Sequence, residues 1–367
     1  MEEFCKMRPS KIVLSSLIIS GLFNDLLAIE FAGIWFQPYR LILFFSFLYV
    51  VLFPRLIKFR KKPISLVLIS LLVFHFFYQG RVSLIGFVTS FGELALFLIL
   101  QNEIIEQEKL LKRLATGLII LMVIQWFTGY QILQFGLQEK ITYNVVPGVL
   151  RERLSNIEFL MLGLPFLSFF MMLLVGILIF ASASFTGVIM YSLYVIKRYR
   201  LRVTKLLLLG SLMSYAIYTT NPDKFNSYFL ESNEKNWRVV SSVVIVSDWI
   251  NDPYILGHGF QANQIFLLDT VKKYLKVKFN RQVKTKAMNT HTLATGLYDY
   301  GLVYFLLAFM FLLMLFRRVI RMENTLAVVI LIVITCRLMF YYHGIGHWTF
   351  FLLIPVLNSY DIKFKQS

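Results

Sequence analysis

Few residues in this chain are of a type that can do chemistry, and they stand at the edges of long apolar runs. His291 closes the one long polar stretch, 219–290, and leads into an apolar run holding Tyr298-Asp299-Tyr300-Gly301. Imidazole titrates near neutrality, so it is the side chain best suited to take a proton from a hydroxyl. Ionisable residues also fall within or beside apolar runs, at Asp25, His75, Glu93 and Arg337. A charge in such a place is costly, and it marks either a site or a structural pair. The chain holds no Walker A loop, no HExxH, no CxxC and no Asp-x-Asp pair. His343 and His347 flank a Gly-Ile-Gly that favours a turn over a metal site. With no grip for a nucleotide, an activated substrate has to arrive by another route, and a lipid diphosphate is the obvious one.

The elements that must hold these residues read as membrane helices. Of 367 residues 58% are hydrophobic and 16% aromatic, and the mean hydropathy is +0.68. A soluble domain of this length is about 45–50% apolar. Apolar runs of about 20 residues, the length needed to cross a hydrocarbon core, recur along the whole chain. The first of them, 12–29, lacks a small-residue cleavage site, so no cleavable signal peptide is expected. The net charge of +17 would suggest nucleic acid in a soluble protein. Here most of the basic residues lie in short loops, where they set topology, and no nucleic-acid partner is expected. Cys5 and Cys336 lie far apart, in the N-terminal tail and a late span, which argues against a disulfide framework.

Taken in order, spans are expected at about 12–28, 38–54, 64–79, 83–101 and 114–134. The stretch 156–196 must cross an odd number of times, and three short crossings are favoured over one crossing plus a hairpin. A further span is expected at about 204–219, and three more at about 293–316, 325–342 and 346–360. The basic connections 55–62, 109–113, 197–202 and 317–321 all fall on one side, which is therefore the cytoplasm. The expectation is an all-α polytopic membrane protein with about 10–12 transmembrane helices, both termini cytoplasmic and one large loop outside. Its parts are N-terminal helices over 1–218, the loop over 219–290 and C-terminal helices over 291–367. Within the loop, apolar residues at helical spacing predict short amphipathic helices over 237–250 and 260–274, lying against the membrane surface. Lys272, Lys273, Lys276, Lys278, Arg281, Lys284 and Lys286 crowd the end of the loop, suited to attracting anionic headgroups or an anionic polymer.

The order of these features resembles the O-antigen ligase/polymerase superfamily of Wzy-type polymerases and WaaL-type ligases. Arg153-Leu154-Ser155-Asn156 before Leu164-Pro165 resembles the family's Arg…Asn segment ahead of a Leu-Pro helix. Ser184-Phe185-Thr186-Gly187 resembles its Ser-Arg-x-Gly turn, with Phe185 in place of the arginine. Arg238, Asn251-Asp252-Pro253 and Gly257-His258-Gly259 resemble the Arg…Asn-Pro…Gly-x-Gly run of the large loop. His291-Thr292…Asp299-Tyr300-Gly301 resembles the His-Asn…Glu-x-Gly motif where the chain returns to the membrane, with Asn289 preceding the histidine.

What the resemblance implies is inverting glycosyl transfer without a metal or other cofactor, in the bacterial inner (cytoplasmic) membrane. The donor is an oligosaccharide on undecaprenyl diphosphate, and the loop is periplasmic. His291 is then the candidate base. Arg151, Arg153, Arg238 and Arg337 are candidates to bind the diphosphate leaving group, for which the planar guanidinium is well shaped. The plainer alternatives are a loop charge pair with Glu152 for Arg151 and Arg153, and a snorkelling interfacial arginine for Arg238. A repeat-unit polymerase for O-antigen or capsule in lipopolysaccharide or polysaccharide biosynthesis, with a chain-length regulator as a partner, is the expected reading. A ligase acting on lipid A-core shares the donor. A transporter or flippase of lipid-linked glycans stays open, although the halves show no internal repeat.

Overall fold

The computed structural model describes residues 9–23, 29–31, 34–56, 62–79, 84–101, 103–104, 106–128, 153–182, 184–199, 237–259, 262–279, 292–321, 324–340 and 348–366, with 211, 215 and 219 standing singly. The described chain is helical apart from one short ribbon. The N-terminal part holds α1 (Pro9–Phe23), α2 (Pro38–Leu52), α3 (Pro63–Gln79), α4 (Leu84–Leu100) and α5 (Glu108–Thr128). Between α1 and α2, β1 (Ile29–Phe31) pairs antiparallel with β2 (Ile34–Phe36), an element that a purely helical expectation omits. The β-branched and aromatic residues of Ile29–Phe31 and Ile34–Phe36 suit a pleated hairpin. Next come α6 (Arg153–Gly163), α7 (Phe169–Ala181) and α8 (Phe185–Tyr199), then the loop helices α9 (Trp237–Asn251), α10 (Ala262–Phe266) and α11 (Leu268–Phe279). The chain closes with α12 (Thr292–Tyr300), α13 (Leu302–Arg321), α14 (Thr325–Phe340) and α15 (Trp348–Gln366).

Local sequence sets most of these boundaries. Pro38 and Pro63 open α2 and α3, where a missing N–H costs nothing. Ser168 caps α7 by accepting from Met171 N, and Asn324 Oδ1 caps α14 by accepting from Leu326 N at 2.9 Å and Ala327 N at 3.2 Å. The stretch 156–196 holds three short helices, interrupted at Leu164-Pro165 by a 3-10 turn and at the Ser182–Ser184 break. Two expected helices prove to be broken. The apolar run at 293–316 is two helices, because Gly301 adopts φ +90° and its N–H closes α12 on the carbonyls of Gly296 and Leu297. The run at 260–274 parts between Phe266 and Leu268.

One large core joins α1–α8 with α12–α15. Within it α2 and α4 cross closely at Gly92, where a Cβ would lie 2.6 Å from the carbonyl oxygen of Leu43. α14 is central to the C-terminal half, packing on α6, α8, α12, α13 and α15. A second, smaller core belongs to the loop helices: Val240, Ile245, Ala262, Leu267, Val271 and Leu275 close around Tyr298 of α12. Among the described residues two helices, α5 and α13, are long and apolar enough to cross a bilayer. Helix α13 is apolar on both sides: Tyr304, Ala308, Phe311, Leu315 and Val319 face the core, while Leu306, Phe309, Met310, Leu313, Phe316 and Ile320 face outward.

Candidate functional site

Two of the motif segments meet in space. The loop carrying Gly257-His258-Gly259 docks on the corner Tyr298-Asp299-Tyr300-Gly301 between α12 and α13. His258 N donates to the Tyr298 carbonyl and Gly259 N donates to the Asp299 carbonyl, each at 3.0 Å. The two backbones lie too close for side chains to intervene. A Cβ on Gly257 would strike the peptide plane of Asp299–Tyr300, and one on Gly301 would strike Ile255 O and stand 2.6 Å from Gly257 N. Gly259, at φ +117°, completes the turn.

Aromatic rings and carboxylates surround this corner. The His258 ring, exposed, packs 4.2 Å from the ring of Tyr254 and 4.6 Å from that of Tyr298, centroid to centroid. Trp249 Nε1 donates to the Tyr254 carbonyl at 3.1 Å and fixes the start of the turn. The Tyr254 hydroxyl is buried and meets no hydrogen-bond partner among the described residues. Burial, aided by Asp248, Tyr298, Asp299 and Asp252, pushes the Tyr254 phenol up, so it stays protonated and able to donate. Asp299 is itself 1% exposed. The exposed His258 ring, packed on Tyr254 and Tyr298, is the part of this corner open to a ligand.

Beneath the corner lies a second polar group. His75 of α3 and Glu93 of α4 are hydrogen-bonded, Nδ1 to Oε2 at 2.9 Å. The His75 ring meets the Tyr300 ring edge-on at 6.0 Å, and Tyr300 in turn packs on Tyr78 and Tyr304. Tyr304 lies within electrostatic reach of both Glu93 and Asp299, and Tyr39 within reach of Glu93. A chain of polar groups thus runs from the docked loop down to α4.

The sequence-derived candidates divide as follows. His291 and Arg151 lie outside the described residues, as do Asp25, His343 and His347. Arg153 opens α6 and Arg238 lies in the first turn of α9, and their side chains lie outside the described part. Arg337 is in the core, 2% exposed. Its Nε and Nη2 donate to Glu158 Oε2 at 2.8 and 2.7 Å, joining α14 to α6. Glu158 was not singled out by sequence, although an acid in the apolar run 156–166 was the available signal. His75 and Glu93 were noted separately and not as a pair. Tyr254, with no motif of its own, gave no signal. Ser184 acts as a helix cap, its Oγ accepting from Gly187 N at 3.3 Å. Among the described residues no cluster of three or more His, Cys, Asp or Glu could hold a metal ion. Comparison with protein-family models, with curated proteins and with solved structures gives no match for this chain.

Proposed function

We propose that this chain is a multispanning membrane glycosyltransferase of the O-antigen polymerase type. In this reading it joins undecaprenyl-diphosphate-linked oligosaccharide repeat units into an O-antigen or capsule at the periplasmic face of the inner membrane. The observation that carries it is the docking of Gly257-His258-Gly259 on Asp299-Tyr300-Gly301. These segments are far apart in their resemblance to the family, yet they form one backbone-to-backbone contact in which no larger residue fits at Gly257 or Gly301. Such a corner would present residues of the loop to a lipid headgroup where the chain returns to the membrane.

Other features support the same reading. The outward apolar stripe of α13 would be unusual in water and is suited to lipid. Buried ion pairs inside an apolar helical bundle are the form in which membrane-embedded charges are tolerated. The short helices α6, α7, α8 and α12, of 11, 13, 15 and 9 residues, are below the length of a full crossing and fit a bundle with interrupted spans. The bundle would then hold the expected 10–12 spans, with the loop helices and their lysines against the outer headgroups. His291, which lies outside the described residues, is the base that the resemblance offers, and Arg151, Arg153 and Arg238 are the grip on diphosphate that it offers. Arg337 braces α14 through Glu158, so in this reading it orders the site without needing to touch phosphate.

The test is a gel of surface glycan from a strain lacking this chain, complemented with wild type. Core carrying a single repeat unit in the deletion, and a ladder on complementation, is the expected result. Long lipid-linked polymer that never reaches the core would instead identify a ligase. An unchanged ladder would remove the chain from glycan assembly altogether.

A further inference from the structure

The His75–Glu93 pair is the buried titratable group that the reading above leaves unused. Its placement is demanding. Glu93 sits in the middle of the apolar helix α4, next to the close crossing at Gly92, and its side chain is 6% exposed. Burying an ion pair in a bundle costs more than an apolar pair of the same size, so stability alone is a weak reason for it.

The geometry differs from that of a passive pair. Glu93 Oε2 stands at Nδ1 of His75, where an ionised carboxylate can only accept the ring N–H, and the neutral imidazole then presents Nε2 as its acceptor. No second hydrogen bond engages the ring among the described residues, and the His75 side chain keeps 14% exposure. The ring stands edge-on to Tyr300, which belongs to the corner that receives the loop and follows the buried Asp299. The groups facing the pair are Tyr78 on α3, Tyr39 on α2, Tyr300 on α12 and Tyr304 on α13, with Asp299 beyond Tyr304. These facing groups are phenols, which can donate to or accept from a bound hydroxyl.

The geometry points to a carboxylate-oriented general base: His75, held by Glu93, accepts the proton of the hydroxyl acceptor at the floor of the loop corner. This rests on the glycosyl-transfer reading and assigns the proton within it. The acceptor oxygen forms the new bond to the anomeric carbon while its proton passes to His75 Nε2. The bond from that carbon to the diphosphate oxygen breaks, and its electron pair leaves with the diphosphate. The imidazolium that results lies against the Glu93 carboxylate, as the second carboxylate–histidine contact of a hydrolytic triad does for its own base.

The experiment uses the full-length protein, purified and reconstituted, extending an undecaprenyl-diphosphate-linked oligosaccharide. His75→Ala and Glu93→Gln are expected to lower the rate by about 100-fold or more. Adding free imidazole is expected to restore part of the rate of His75→Ala, because the small base occupies the space the ring leaves. His291→Ala in the same assay separates the two histidines: rescue at His75 and not at His291 assigns the proton to the pair. Rescue at His291 alone would overturn the inference. So would a His75→Ala protein at wild-type rate, or one that is slow, unrescued and lower in melting temperature, the mark of a structural pair. His75→Gln, closer in size, covers the case in which the alanine variant does not fold. An inactive wild type would instead sink the glycosyl-transfer reading, and the assignment with it.

Discussion

Among the described residues two buried pairs tie helices of the bundle together, and they are built from different chemistry. Arg337–Glu158 ties α14 to α6 with side chains 2% and 0% exposed. The guanidinium does not give up its proton in a protein, so this pair has one charge state and acts as a brace. His75–Glu93 ties α3 to α4 with side chains 14% and 6% exposed, and its nitrogen partner is an imidazole. One pair is sealed around a permanent cation, and the other joins a carboxylate to a ring that can donate or accept. The lesson is that a charge in an apolar helix is read from its partner and its exposure, not from its presence in an apolar run.

The comparison can be broken first at the brace. Arg337→Met leaves Glu158 buried without its cation and is expected to cost about 3–5 kcal/mol. Thermal unfolding in detergent would show this as a large fall in melting temperature. Replacing both partners, Arg337→Met with Glu158→Leu, is expected to recover most of the loss, since the penalty lies in the orphaned charge. A double variant as unstable as the single one would show that the pair's geometry, and not its charge balance, holds the helices.

The loop corner gives the next largest effect. Gly257→Ala drives a methyl into the Asp299–Tyr300 peptide and is expected to cost about 1–3 kcal/mol. The cost should appear locally, as faster proteolysis within 251–259, with the bundle's own melting little changed. His75→Gln sharpens the contrast with the brace from the other side. The Gln amide can still donate to Glu93, so stability is expected to change by only about 1 kcal/mol, while activity falls far more. A stability loss equal to that of Arg337→Met would make the two pairs alike and end the distinction. The smallest effect is expected at Ser184→Ala, which removes a cap worth roughly 0.5–1 kcal/mol and leaves the rate unchanged.

Much of the helical layout was legible in the sequence because apolar runs and proline starts report it directly. α2, α3, α4 and α14 fall within two residues or so of their expected ranges. The break at Gly301 was not legible, since the residues on both sides are equally apolar and only the left-handed glycine ends α12. The ribbon at Ile29–Phe36 was hidden because it falls in the connection between the first two expected spans, where two strands of three residues are too short to show an alternation. At the site, sequence named the two glycine-containing segments and their order but could not show that they touch. Glu93 and Arg337 stood out as charges in apolar surroundings, whereas their partners were fixed by contacts between helices distant in the chain. Arg337 and Glu158 are 179 residues apart, beyond the reach of any local pattern.

The most direct test of the central claim is extension of a lipid-linked oligosaccharide by the purified protein, with no nucleotide sugar, no metal and no ion gradient supplied. Products lengthened by whole repeat units, with release of undecaprenyl diphosphate, are the predicted result. Unchanged substrate, or movement of the lipid across the bilayer without any new glycosidic bond, would contradict it.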